Sequence, residues 1–551
     1  MTWTQVYDPT GMWWLSTLVA LLPVVVLLGL LVGRVKPHLA ALAGAAAAMI
    51  VASLVFRMPW SLAFASLGFG VAYGLLKIAW IVVSAVFLYD ITVYTGQFEI
   101  MKQSIARITA DRRLQALLVA FCFGAFIEGA AGFGAPVAIA GAFMIGLGFK
   151  PFHAAALNLI ANTAPVAWGA IGTPVHALAT VTALPEPHLS AMIGRILPLT
   201  AIIVPFWIVR TMVGWSETIE VLPAILVVGG SFAITQFAWS NFVDSNLVDI
   251  AGGAVSIAAT IAFLKVWQPK RIWRFKEERD AAVDQVADHS REIHNARQTA
   301  RAWMPFAVLT VFVLLWGLPS LKTRMNLLTT PAAERNGWDV PLLHQAISRD
   351  APVVATRTPE AAKFDFNWLT ATGSGCFLAA LVSGLMLGLS PRQLTVLFWR
   401  TLVRMRFAVM AISFMLGLGF VTRYSGLDAV LGLAFTRTGV VFPFFGAFLG
   451  WLGVALTGSD TSSNVLFGGL QRITAEQLKL NPVLMCAANS AGGVMGKMVD
   501  AQSIVVATAA TNQVGNEGVI FRFVFWHSIA LAAIVGLIVM AYAYLAPGWV
   551  P

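Results

Sequence analysis

One polar stretch of this chain lies inside otherwise apolar sequence and contains groups that can bind a small anion. It runs Gly458-Ser459-Asp460-Thr461-Ser462-Ser463-Asn464. Its hydroxyl groups can donate to a carboxylate and accept from a hydroxyl, and a helix that starts there offers backbone N–H groups to an anion. The alternative is that small residues only allow close helix packing. Seven successive glycine or polar residues exceed that need. The predicted substrate-binding residues here are Gly458, Ser459, Thr461, Ser462 and Ser463.

Three ionisable residues in apolar surroundings are candidates for coupling and charge recognition. Glu128 ends an apolar run before a glycine-rich segment, Asp460 lies in the polar stretch, and Lys497 follows a glycine. Ionisable groups inside a membrane are expensive and usually mark function. Because apolar surroundings favour the neutral form of a carboxyl group, we predict that Glu128 and Asp460 carry protons. Lys497 is the predicted cation for a bound carboxylate.

Helix-breaking and polar residues occur in the same order in two parts of the chain. The first set is Tyr94-Thr95-Gly96, Phe123-Gly124-Ala125-Phe126, the break with Gly129, Gly132, Gly134 and Pro136, and Asn162-Thr163 with Gly169. The second set is Tyr424-Ser425-Gly426, Phe445-Gly446-Ala447-Phe448, the polar stretch, and Asn489-Ser490 with Gly496. Such duplicated breaks are typical of secondary transporters whose site lies where broken helices meet.

The residues after each break are also assigned to the site. Pro165 and Gly169 follow Asn162, and Gly492 and Gly493 follow Asn489, so we expect unwound segments there that face the breaks. The alternative is an interhelical amide hydrogen bond, worth about 1 kcal/mol. The duplicated placement favours the site. The further predicted substrate-binding residues are Gly129, Asn162, Thr163, Asn489 and Ser490.

Composition identifies a membrane protein. Hydrophobic residues make up 58% of the 551 residues, charged residues 11%, and the mean hydropathy is +0.78, whereas soluble domains carry about 25% charge. The net charge of +10 fits basic cytoplasmic loops better than nucleic-acid binding. The three cysteines indicate neither a disulfide framework nor a metal site, and we expect no cofactor.

The distribution of charged loops predicts an all-α polytopic fold. Basic loops at 97–113, 265–301 and 390–406 should be cytoplasmic, which leaves about twelve spans with both termini outside. The predicted spans lie near 13–33, 38–56, 61–96, 152–178, 190–213, 220–240, 246–266, 302–318, 367–389, 393–422, 483–510 and 522–546. The segments 114–149 and 441–480 then start from opposite sides and are predicted to be re-entrant hairpins of two inverted repeats. Two full crossings per segment satisfy the same charges.

This topology predicts four parts of the chain. They are an N-terminal span at 1–37, a first repeat at 38–213 with hairpin 114–149, connecting spans at 214–366 with a cytoplasmic loop 267–301 and an external loop 319–366, and a second repeat at 367–551 with hairpin 441–480.

Three stretches closely resemble the bacterial L-lactate permease family, and the similarity covers nearly the whole chain. They are Phe121 to Pro136, Phe448 to Asn464 and Gly492 to Lys497. The resemblance implies a multi-pass symporter of the bacterial inner membrane that carries protons with L-lactate and related 2-hydroxy monocarboxylates such as glycolate. It also implies kinship with transporters built from two inverted repeats with hairpins. The implied partners are the small-molecule substrate, protons and membrane lipid, without nucleic acid.

Two other interpretations remain open at this point. A sodium-coupled or dicarboxylate carrier of the same fold is the transport alternative, although a single candidate cation argues mildly for one carboxylate. A membrane-embedded enzyme would need a catalytic or metal-binding pattern, and the sequence contains none that we recognise.

Overall fold

The computed structural model describes residues 2–33, 35–132, 135–275, 295–329, 337–354, 356–364, 367–513 and 516–551. Within these ranges the chain is mostly helical. A helix bonds all its backbone groups within its own segment, as a chain in hydrocarbon requires. The predicted break residue Gly134 lies outside the described residues.

The helices of the first half begin near the N-terminus and continue to the predicted basic loop. They are Trp13–Val32, Pro37–Leu54, Trp60–Tyr73, Trp80–Tyr94, Gln97–Ala106, Arg112–Ala116, Gly124–Ala131, Ala135–Gly146, Pro151–Ala161, Gly169–Thr182, Glu186–Met212, Trp215–Glu220, Leu222–Phe242 and Val248–Val266. Wider turns at Gly74–Ala79 and Leu117–Phe123 and a tighter turn at Val166–Trp168 connect some of them.

The helices of the second half follow the loop. They are Ala296–Gly317, Pro319–Thr329, Thr372–Met386, Pro391–Ser425, Leu427–Phe435, Phe442–Thr457, Asp460–Gln477, Pro482–Gly496, Ala501–Ala510 and Glu517–Tyr544, with tighter turns at Thr436–Val441 and Pro547–Trp549.

The described residues form nine helical runs that are long and apolar enough to cross a membrane, or ten if one bent pair is counted as a span. The protein is therefore a multi-pass membrane protein. The predicted number of twelve is not confirmed. Thr372–Met386 has only 15 residues, whereas Arg112–Ala130 and Leu427–Ala455, which overlap the predicted hairpins 114–149 and 441–480, are long enough to span.

Two antiparallel helix pairs occupy the positions of the predicted hairpins. The first hairpin consists of Gly124–Ala131 and Ala135–Gly146, and the second hairpin consists of Phe442–Thr457 and Asp460–Gln477; the two arms of each contact one another. Gly132 and Gly458 lie at the turns with φ of 57° and 73°, where glycine avoids the steric cost of a side chain. Re-entry and the inverted repeat remain predictions.

Short strands modify the all-α prediction. They are Trp3–Thr4, Ile347–Arg349 and Thr358–Pro359 in one sheet and Trp338–Asp339 and Lys363–Phe364 in another. Trp3 pairs with Ile347 in parallel, so the N-terminal segment and the polar loop of the second half lie on the same face of the helical bundle. The sequence predicted that this loop is external. It did not predict the strands, because pairing over two or three residues gives no detectable period in the sequence.

Candidate functional site

The first half of the chain contains a strained helix break. Pro151–Ala161 ends before Asn162, and the next helical run, Val166–Thr182, is bent from it by 65°. Within that run Ala170, Ile171 and Gly172 have φ of 44°, 58° and 70°. Left-handed backbone is unfavourable for alanine and especially for a β-branched residue, and strain of this kind concentrates at functional sites.

The turn of the second hairpin is also the start of a helix. Gly458 ends the first arm, and Ser459 caps the second arm by accepting a 3.3 Å hydrogen bond from the backbone N–H of Ser462. Asn464 then donates to the carbonyl oxygen of Pro174 at 3.2 Å. The turn of the second hairpin is thereby joined to the strained break.

A small cavity lies between these two breaks. Its volume is about 30 Å³, which is enough for about two or three water molecules. It is lined by Glu128, Gly132, Val166, Gly169, Ala170, Thr173, Pro174, Gly458, Ser459, Asp460, Thr461 and Lys497.

Lys497 is the basic residue of the cavity lining. Its ammonium group donates a 2.6 Å hydrogen bond to the carbonyl oxygen of Gly458 and lies 3.4 Å from Oδ2 of Asp500. The side chain is buried, with 6% exposed. These contacts hold the ammonium group beside the turn of the second hairpin, which lines the cavity.

Two acidic residues of the lining face the same space. A Cβ atom on Gly169 would lie 2.5 Å from Oε1 of Glu128, so the backbone of the break passes close to this carboxyl group. Oδ2 of Asp460 accepts hydrogen bonds from Ser490 at 2.6 Å and Asn464 at 3.1 Å. Within the described part of the chain, Oε2 of Glu128 and Oδ1 of Asp460 have no hydrogen-bond partner. Each carboxyl therefore keeps one oxygen available.

The second-half break differs from our expectation. We predicted unwinding near Asn489 and Gly493, but Pro482–Gly496 is a continuous helix and the interruption falls at 497–500. Gly492 packs against the backbone of Ala447, and Gly493 packs against Asp460 and Val454. These glycines allow close helix packing. In the sequence, glycines of this kind cannot be distinguished from glycines that interrupt a helix.

Asn489 and Ser490 act through their neighbours and do not line the cavity. Ser490 donates to Asp460, as described, and Asn489 donates to Oδ1 of Asn464 at 3.0 Å. Asn464 is itself a donor to Asp460. Both residues therefore hold the acidic group of the second hairpin in position.

The other predicted binding residues occupy several different environments. Asn162 is buried near Glu128, and Thr163 donates to the carbonyl oxygen of Ile160 at 2.8 Å. Ser463 donates to the carbonyl oxygen of Gly450 at 3.0 Å, within the second hairpin. Ser462 contributes its backbone N–H to the cap of Ser459, and Gly129 packs against the helix that starts at Val248. None of the five lines the cavity as the structure describes it.

Sequence reasoning missed Thr173, Pro174 and Asp249. Thr173 and Pro174 restart the helix after the strained break and line the cavity. Asp249 fell within the predicted span 246–266 and was given no role, and it is completely buried in the first turn of Val248–Val266. Its position at the start of an apolar span was the available signal.

The fold and the cavity together define a multi-pass membrane protein with a small buried polar site. The chain belongs to the L-lactate permease family, whose model matches residues 16–546. Members of this family are transporters and not enzymes.

Several relatives match this chain over its length. The glycolate permease GlcA of Escherichia coli (strain K12) is 46% identical and covers 100% of this chain and 99% of its own. The L-lactate permease of the same strain is 46% identical over 100% of both chains. The L-lactate permease of Bacillus subtilis (strain 168) is 43% identical over 98% of both.

Proposed function

We propose that this protein imports L-lactate and related 2-hydroxy monocarboxylates, including glycolate, together with protons across the bacterial inner membrane. The relatives are named for lactate and glycolate, and the cavity is lined by a lysine, hydroxyl groups and a helix start that can bind a carboxylate. The substrate carboxylate binds at Lys497 and at the helix start after Ser459. The substrate hydroxyl exchanges hydrogen bonds with Thr461 or Thr173.

The observation that carries proton coupling is the balance of charge in the site. Lys497 is accompanied by Glu128 and Asp460 in the lining and by Asp500 as its ion-pair partner. With all of these acids ionised, negative charge exceeds positive charge, and a further anion is repelled. Protonation of a carboxyl group weakens that repulsion. The anion and the proton therefore bind together.

The organisation of the transporter is part of the same proposal. Two inverted repeats, 38–213 and 367–551, each contribute a hairpin, and the spans at 1–37 and 214–366 complete the fold. Support comes from the contact between the turn of the second hairpin and the first-half break, through Asn464 and Pro174. A site shared by two repeats can open to alternate sides when one repeat moves against the other.

Transport into proteoliposomes tests the proposal. Labelled L-lactate and glycolate are supplied with an inward proton gradient alone or an inward sodium gradient alone. We expect accumulation with the proton gradient and none with sodium alone. Accumulation that requires sodium and ignores the proton gradient would instead establish the sodium-coupled alternative.

The proton carrier is tested separately with Glu128→Gln. This variant should lose gradient-driven accumulation and retain exchange of labelled lactate between equal pools, because exchange needs no net proton movement. The matched control is Asp90→Asn, whose carboxylate is paired with Arg404 at 2.6 Å outside the cavity. Normal accumulation in Glu128→Gln would move the role to Asp460.

A further inference from the structure

A second buried carboxyl group lies beside Glu128 and outside the cavity lining. Asp249 is 0% exposed, and neither of its carboxylate oxygens has a hydrogen-bond partner within the described residues. Glu128 is 3% exposed, and its Oε2 is likewise without a partner there. Both residues are thus buried carboxyl groups with at least one oxygen that has no hydrogen-bond partner among the described residues.

The backbone holds the two groups close together. A Cβ atom on Gly129, the neighbour of Glu128, would lie 2.9 Å from the Cβ of Asp249 and 2.8 Å from the backbone nitrogen of Ile250. Gly129 therefore permits the first hairpin to approach the start of Val248–Val266. Glu128 acts electrostatically on Asp249 across this contact.

The surrounding charges do not neutralise Asp249. Lys497 and Asp500 act on Glu128 from the second half. Oδ1 of Asp244 accepts the backbone N–H groups of Asn246 and Leu247, in the turn before Asp249. On the adjoining broken helix, His176 bonds Glu186 and Asn246. Within the described residues, the charged group that acts on Asp249 is thus Glu128.

Simultaneous ionisation of two adjacent buried carboxyl groups is unfavourable. Burial of an unpaired charge costs several kcal/mol, and a neighbouring like charge adds to that cost. One proton shared by the pair removes the repulsion between the two charges. Either residue can bind this proton, and the two forms differ in whether the residue at the cavity is neutral or charged.

We propose that Asp249 is a second proton-binding residue, which exchanges the coupling proton with Glu128. This inference rests on the proposed proton-coupled transport. When the O–H bond of Glu128 breaks, one forms at Asp249, and the number of protons on the pair is unchanged. With the proton on Glu128 the cavity accepts an anion, and with the proton on Asp249 the charged Glu128 repels it. Asp249 thereby couples proton position to release of the substrate.

The decisive measurement is the number of protons taken up when lactate binds to purified protein in weakly buffered detergent, followed over a range of pH. Wild type should take up protons on binding lactate at pH values high enough for the pair to have lost its shared proton. In Asp249→Asn the curve of proton uptake against pH should shift by about one unit, a tenfold change in proton affinity. A merely structural role for Asp249 would lower stability and leave this curve in place.

The matched control is Asp428→Asn, which removes another buried acid. Asp428 accepts a hydrogen bond from the backbone of Ala429 and does not line the cavity, so its curve should coincide with that of wild type. An unshifted curve in Asp249→Asn overturns the inference while leaving the proposed function intact. Wild type that takes up no proton on binding lactate overturns the proposed function itself.

A second variant covers the case in which Asp249→Asn does not insert. Asp249→Glu keeps an acid and displaces its carboxyl group by one methylene. The infrared band of protonated carboxyl groups should then differ from that of wild type in the change induced by lactate. An identical difference spectrum in the two proteins would contradict proton binding at Asp249.

Discussion

The ammonium group of Lys497 donates a 2.6 Å hydrogen bond to the carbonyl oxygen of Gly458. This contact joins the end of one helix to the turn of the second hairpin, both of which line the cavity. It fixes the cation where a helix N-terminus also favours negative charge. A carboxylate at this point meets both sources of positive potential.

Replacement of Lys497 tests this placement. Lys497→Ala removes the charge partner of the substrate, and loss of a charge-assisted hydrogen bond costs about 1.5–3 kcal/mol. Affinity for lactate should fall roughly tenfold to hundredfold, measured by direct binding to purified protein. His527→Ala is the control, because His527 bonds Trp207 away from the cavity. Wild-type affinity in Lys497→Ala would place the substrate carboxylate elsewhere.

Ser490 provides a test of the groups that position Asp460. Ser490→Ala removes the 2.6 Å hydrogen bond to Oδ2 of Asp460, and a buried acceptor without its donor costs about 1–3 kcal/mol. We expect a lower unfolding temperature in detergent and reduced proton-driven accumulation of lactate. Ser216→Ala, which removes an exposed hydroxyl bonded to Glu217, should change neither. Unchanged stability in Ser490→Ala would contradict the positioning role.

Gly458 is a test of backbone conformation. Its φ of 73° is unfavourable for alanine, so Gly458→Ala should destabilise the protein by about 1 kcal/mol and weaken lactate binding through displacement of the turn. Gly230→Ala is the matched control, since a Cβ there would meet no atom within 4 Å and helix propensity favours alanine. Gly458→Ala should have a lower unfolding temperature and a lower affinity for lactate than Gly230→Ala.

Arg423 contacts the polar loop that contains Glu360 and does not line the cavity. It pairs with Glu360 at 3.2 Å and donates to the carbonyl oxygen of Thr180. Arg423→Ala should lower stability by about 1–3 kcal/mol without changing lactate affinity. The exposed Arg406 gives the control Arg406→Ala. A large loss of lactate affinity in Arg423→Ala, with stability unchanged, would assign the residue to the substrate path.

Glu220 should make stability depend on pH. Partial burial alone would raise the pKa of Glu220, but hydrogen bonds from Arg113 at 2.9 Å and from the backbone of Arg271 at 3.0 Å hold it below its ordinary value. A lowered pKa stabilises the fold above the unfolded value of about 4.3, and this contribution is lost as pH falls through the folded value.

The variant Glu220→Gln should accordingly melt at a lower temperature than wild type at neutral pH, and the difference should shrink below about pH 4. Glu476→Gln, in an exposed ion pair with Arg472, is the control and should show little difference at any pH. A constant difference between Glu220→Gln and wild type across pH would show that the carboxylate charge is not the cause.

The sequence alone determined the features that depend on residues close together in the chain. Apolar runs specify spans because the bilayer requires backbone groups to bond within their segment. The turn at Gly458 and the cap at Ser459 could likewise be recognised, since a positive φ and a capping hydroxyl are local requirements. The family followed from long motifs of the same kind, and the model of that family confirmed it.

Only the tertiary structure decided which polar residues meet. Asn489 and Ser490 lie in an unbroken helix, from which Asn489 bonds Asn464 and Ser490 bonds Asp460, so the glycines beside them indicate packing and not unwinding. Asp249 lies beside Glu128 because Gly129 lets two helices approach. The two residues are far apart in the sequence, so no local pattern could predict this contact. Local propensity limits the conformation of each segment, whereas packing between segments distant in sequence determines what its side chains contact.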